Sequence, residues 1–125
     1  MEHILVVPRD AFRATLPFQG FSADPERTSH FLRLVAAQGR FVSRRPAEED
    51  GTLKQIVPYG VVRCGGQVYL FQRGSQGHET GLRGRWSVGL GGHVNPQDGM
   101  EVGPAMLARS LRRELAEEVE LDKPL

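Results

Sequence analysis

Arg113-Glu114-Leu115-Ala116-Glu117-Glu118-Val119 lies downstream of a Gly91-Gly92-His93-Val94 segment, and the two together carry most of the meaning of this chain. The three carboxylates fall at i, i+3 and i+4, so they share one side of a helix. At about 100° per residue, Glu118 lies ~40° and Glu117 ~−60° from Glu114. On the same wheel Leu107, Leu111, Leu115 and Val119 fall at roughly 20° to 140°, which puts Glu118 inside the apolar arc. A charge run that merely solvates a helix would lie opposite that arc. Carboxylates near an interior must be protonated, paired or bound to a cation. Hard oxygen donors at this density point to Mg2+ or Mn2+.

Working outward, the glycine pair closes a strand expected over Trp86 to Leu90, in which Trp86 reads as a core residue. Val61 to Arg63 and Gln67 to Arg73 flank Cys64-Gly65-Gly66 as a hairpin. Leu53 to Tyr59 reads as extended, and Pro58 confines it to an edge or a bulge. Gly74 to Gly84 reads as a surface loop, without the Gly-Lys-Ser/Thr ending of a phosphate loop. On the N-terminal side, Ile4 to Val7 predicts a short strand. Asp24-Pro25 predicts a capped helix with Phe31, Leu34 and Val35 on its apolar face and Gly39 at its end. Phe41 to Ser43 predicts another strand, and Asp50-Gly51 a hairpin-type turn. Pro104 opens the last helix, which runs to about Glu120. Strands followed by a glutamate-bearing helix give an α/β or α+β arrangement. Residues 1–54 read as a structural strand and helix region, and residues 55–125 as the core that carries the motifs, within one domain overall.

Sixteen basic residues against fifteen acidic ones leave the 125-residue chain near neutrality. Bulk charge therefore favours neither a nucleic-acid polymer nor a membrane surface as a partner. No apolar run is long enough to span a bilayer. The single cysteine, Cys64, forbids an internal disulfide and fits a reducing compartment, so a cytoplasmic protein is expected. No interface pattern fixes an oligomeric state.

Gly92, the Arg113 to Val119 run and Leu121 resemble the signature of the Nudix (MutT-like) hydrolases, Gly-x5-Glu-x7-Arg-Glu-U-x-Glu-Glu-x-Gly-U, with U a bulky aliphatic residue. Arg85 to Val94 looks like the strand that enters this box, and Arg73 matches an arginine often found before it. Gln55 to Tyr59 and Gly91 to Asn95 are similar to a subgroup described as predicted MutT-like phosphoesterases. The resemblance implies a Nudix-like mixed sheet sandwiched by helices. It also implies metal-dependent hydrolysis of a pyrophosphate bond in a nucleoside diphosphate linked to another group. On that reading Glu114, Glu117 and Glu118, joined by a backbone carbonyl of Gly91 or Gly92, hold the cation, and any of the three is a candidate base. Arg113 orients a glutamate, while Arg73, Arg85 and His93 contact the phosphorylated small molecule. The alternative is a non-catalytic module of the same fold that binds a nucleotide or a protein.

Three departures from the signature stand out. Gly92 and Arg113 are 21 positions apart where the signature has 14, so a longer loop around Gly99 to Pro104 is expected, and either Asp98 or Glu101 fills the first acidic position. Glu120 stands at the signature's closing glycine. Nudix domains usually continue with more strands and a helix, so the fold is expected to be incomplete at the C-terminus.

Overall fold

The computed structural model describes residues 2–73 and 84–119. Most of the surface loop expected over Gly74 to Gly84, together with Glu120 and Leu121 of the signature, lies outside them.

Chain order begins with β1 (His3–Pro8), α1 (Arg9–Thr15), α2 (Pro25–Gln38), β2 (Arg40–Ser43), α3 (Arg44–Glu49) and β3 (Leu53–Gln55). Short strands follow: β4 (Tyr59–Val61), β5 (Arg63–Cys64), β6 (Gln67–Val68), β7 (Phe71–Gln72), β8 (Trp86–Ser87) and β9 (Gly89–Gly91). A 3-10 turn over Pro96–Asp98 leads to α4 (Pro104–Glu118). The class is α+β, and every ladder among the described residues is antiparallel.

The four apolar residues Ile4 to Val7 are fully buried because β1 is the middle strand of a three-stranded sheet ordered β2-β1-β3. Alternation splits them between two clusters. Leu5 and Val7 meet Val35, Ile56, Val94 and Met106, whereas Ile4 and Val6 meet Ala47. The larger cluster thus joins α2, α4 and the segment after the glycine pair into one core that spans both sides of position 54. α2 starts as its sequence predicts, with Asp24 accepting from the Arg27 amide at 3.1 Å.

Asp50-Gly51 does turn the chain, but it follows α3, and β3 pairs with β1 instead of β2. The strand expected over Trp86 to Leu90 is divided. β8 pairs with β7 and β9 with β4, so Val61 belongs to the β4–β9 ladder and not to the Gly65-Gly66 hairpin. Trp86 is corrected from core to surface: it is 65% exposed, on a ladder only two residues long, too short to form a sheet face of its own for a core to build on. Gly60 brings β4 against α4, since a Cβ there would press on Leu111 Cδ1 at 3.0 Å. No helix among the described residues is long and apolar enough to cross a membrane.

Candidate active site

Two connections hold the glycine segment in place. The Leu5 amide of β1 donates to the Val94 carbonyl at 3.2 Å, and the Ile56 amide donates back to the Leu5 carbonyl at 3.0 Å. The N-terminal sheet is therefore the frame on which the site hangs. From the other side α4 packs against β9 and β4. Gly92 is where the two meet: a Cβ at that position would fall onto the Glu114 carboxyl group, so only glycine lets this carboxylate rest against the backbone.

Arg113 is the hub. Its Nε donates to Asp98 Oδ1 at 2.7 Å, and its Nη2 donates to Asp98 Oδ2 at 3.1 Å and to the His93 carbonyl at 3.0 Å. Its Nη1 reaches Glu114 Oε1 at 3.1 Å and Glu117 at 3.4 Å. A planar fork with five N–H donors is the side chain able to serve so many oxygens at once. These carboxylates raise the Arg113 guanidinium above its ordinary range, against the opposing effect of burial. Asp98 is buried, and burial alone would raise its carboxyl group. The Arg113 fork and the Asn95 amide outweigh burial and hold it below the usual carboxylate value. Asp98 also completes a capping box with Asn95 on the 3-10 turn. Asp98, and not the exposed Glu101, is thus the carboxylate that meets Arg113.

The glutamates differ more than the wheel predicts. The Glu114 side chain is 14% exposed and that of Glu117 55%. Glu118 is corrected from the apolar arc to the surface. Met106 and Ser110 are fully buried, so the buried arc of α4 centres near Glu114, and Glu118 sits on the final turn where less packs over it. Among the described residues no three His, Cys, Asp or Glu side chains converge on a single point. The donor set nevertheless suits a hard cation: Glu114 is seated beside the Gly91-Gly92 backbone, and Glu117 and Glu118 rise from the exposed turn that follows.

The remaining candidates lie to either side. His93 Nε2 is 2.6 Å from Gln55 Oε1 at the end of β3. Burial, and then the nearby Arg44, hold its ring below the ordinary imidazole value. Arg73 and Arg85 face each other across the β7–β8 ladder, and no hydrogen bond joins either to the glutamates among the described residues. Two contributors were not singled out from the sequence. Gln55 positions His93, and Arg109 Nε donates to the Asp98 carbonyl at 2.6 Å. The Asn95-Pro96-Gln97-Asp98 run carried a cap signal that would have marked Asp98 as structured.

No family model matches the chain. Protein YmaB of Bacillus subtilis (strain 168) is 35% identical over 124 residues, covering 98% of this chain and 60% of that protein. Among solved structures, Tm1382, described as a putative Nudix hydrolase, superposes with a TM-score of 0.73 at 34% identity. That match covers 95% of this chain and 58% of the other. The chain therefore spans about three fifths of the length of the relatives it matches. With Glu114 and Glu117 gathered around Arg113 and the fold shared with Tm1382 over 95% of the chain, the fold is Nudix-like.

Proposed function

We propose that this chain acts as a metal-dependent hydrolase of a pyrophosphate bond in a nucleoside diphosphate linked to another group. One observation carries the reading: Glu114 is seated against Gly92 and held by an Arg113 that Asp98 fixes in turn. Phosphoryl transfer asks a protein for positioning and charge neutralisation more than for covalent chemistry. When bound, Mg2+ or Mn2+ supplies Lewis acidity at a phosphoryl oxygen. Glu114, Glu117 and Glu118 provide the carboxylate oxygens for the cation, with a carbonyl of Gly91 or Gly92 beside them. One of these glutamates accepts the proton of the attacking water. Arg113 keeps Glu114 and Glu117 aligned, while Arg73, Arg85 and His93 contact the phosphates. The exposed free thiol of Cys64 supports a cytoplasmic setting.

A second reading, a module that binds a nucleotide or protein without turnover, is favoured by one observation: among the described residues no three acidic side chains converge on one point. Cleavage of a panel of nucleoside diphosphate derivatives with Mg2+ or Mn2+, by wild type and Glu117→Gln, separates the two. The hydrolase reading expects metal-dependent product that Glu117→Gln abolishes with little change in melting. Equal turnover in the variant, or stabilisation by nucleotide without any product, overturns it.

A further inference from the structure

The short strands are covered on one side and open on the other. Gly60 of β4 meets Leu111 of α4, and Leu90, its partner across β4–β9, is buried. Tyr59 and Val61 flank Gly60 on the strand and therefore point away from α4. Residues opposite each other in an antiparallel ladder share a face, as do residues two apart on a strand, and this carries the outward face along the chain. Arg63, two residues beyond Val61, pairs with Val68 across β5–β6. Leu70 follows Val68 by two residues, and Gln72 beyond it pairs with Trp86 across β7–β8. Tyr59, Val61, Val68, Leu70 and Trp86 are 45–65% exposed. Of the ten large apolar side chains exposed among the described residues, only Phe21 and Met100 lie outside residues 57–88, so apolar exposure is concentrated here and not scattered.

At about half exposure an aliphatic side chain leaves roughly 50–100 Å² open to water and an aromatic one roughly 100–150 Å². The five together present roughly 500 Å² of apolar surface, near the upper end of what a monomer leaves in one patch. Arg63 and Gln72, exposed on the same face, widen it to about 700 Å². A stable complex buries about 600–1,000 Å² on each partner, so the area suffices. The composition suits an interface as well, with aromatic and aliphatic residues at the centre and an arginine and an amide at the rim. Such a face complements itself. A two-fold axis through its centre sets the apolar side chains of two copies against one another. Arg63, beside the Cys64–Gly66 turn at one end of the face, then lies far from its symmetry mate, where solvent screens both charges.

We propose that this outward face is the interface of a homodimer, in which the sheets of two copies of this chain pack face to face. Gly92 and Glu114 lie on the α4 side, so the dimer leaves the glutamates open and the proposal stands independently of the hydrolase reading.

Trp86 is the single tryptophan of the chain, so its fluorescence reports on the face directly. Sedimentation equilibrium of the full chain from about 1 to about 200 µM should reach twice the monomer mass of 13.9 kDa. Over the same range the Trp86 emission should shift from solvent-exposed to shielded. Val61→Lys and Leu70→Lys put a charge into the apolar centre and should each weaken association at least about thirty-fold. Phe21→Lys, in the connection between α1 and α2, should leave it unchanged. All three side chains are exposed, so the variants keep the fold, which melting curves verify; should one of them unfold, the concentration dependence of the wild-type Trp86 emission still decides. A monomer at about 200 µM, an emission indifferent to concentration, a dimer that survives both lysines, or a mass that keeps rising beyond two copies overturns the proposal. So does a monomer whose Trp86 becomes shielded only when a different polypeptide is added, which would assign the face to that polypeptide.

Discussion

Replacing Asp98 by Asn tests whether the Arg113 hub is one cooperative unit. The Asp98 side chain is 2% exposed and that of Arg113 20%. Its two oxygens accept from Arg113 at 2.7 and 3.1 Å and from the Asn95 amide at 3.0 Å. The substituted amide keeps one acceptor but turns an NH2 group toward a guanidinium donor. Removing one member of a buried pair costs about 3–5 kcal/mol. Arg113 retains Glu114, Glu117 and some solvent, which brings the expectation down to about 2–3 kcal/mol. At roughly 3–5 °C per kcal/mol for a domain of this length, Tm should fall by about 6–15 °C. The assay is thermal melting of wild type, Asp98→Asn, Arg113→Gln and the double variant. A coupling energy of about 2 kcal/mol is expected, because the second substitution acts on a contact already lost. Losses that add to within about 0.5 kcal/mol would refute the hub.

Gly92→Ala should leave the core standing but push the Glu114 carboxyl off its seat. A displacement of about 1 Å is enough to lower metal-dependent cleavage about a hundred-fold, and steady-state rates at saturating Mg2+ check it. Acid should act in two steps. His93 is held below its ordinary 6.5, so the unfolded chain takes up that proton first, and the contribution complete above pH 6.5 is lost as pH falls through the window beneath it. Asp98 is held below its ordinary 3.8, so its contribution persists above that value and is lost as pH falls through its lower folded-state pKa. Melting temperature followed against pH in wild type and His93→Gln should show the first step vanish in the variant and the second remain.

What the sequence made legible was what local patterning dictates. β1, α2, β2 and the start of α4 follow from an apolar run, a cap and prolines in first turns, and all appear where these signals put them. α1 and α3 escaped that reading. α1 has no fully buried residue, so it presents no apolar period to detect. α3 is six residues with a proline in its first turn, and its visible support is the Arg44–Glu48 pair at 2.8 Å. Partner choice among β3 to β9 was illegible because two- and three-residue strands carry no register of their own. At the site, the spacing of the glutamates was readable, but their burial was not. A wheel built on leucine and valine cannot anticipate that Met106 and Ser110 would draw the buried arc toward Glu114.

The longer spacing between Gly92 and Arg113 shows how such a site survives an insertion. The loop expected around Gly99 to Pro104 is present as Gly99 to Gly103, between the 3-10 turn and α4, which begins at Pro104 as expected. The added length also supplies contacts: Met106 is fully buried in the main cluster, with Val102 and Leu107 packed against it. Arg109 and Arg113, one turn apart on α4, both bind Asp98, the first at its carbonyl and the second at its carboxylate. Doubling a fully flexible connection costs only about 0.6 kcal/mol. That is well below the ~2–3 kcal/mol expected for the buried pair. The clamp therefore outweighs the entropy of the longer connection, and the spacing of Arg113 from Glu114 and Glu117 is preserved however far upstream the helix begins.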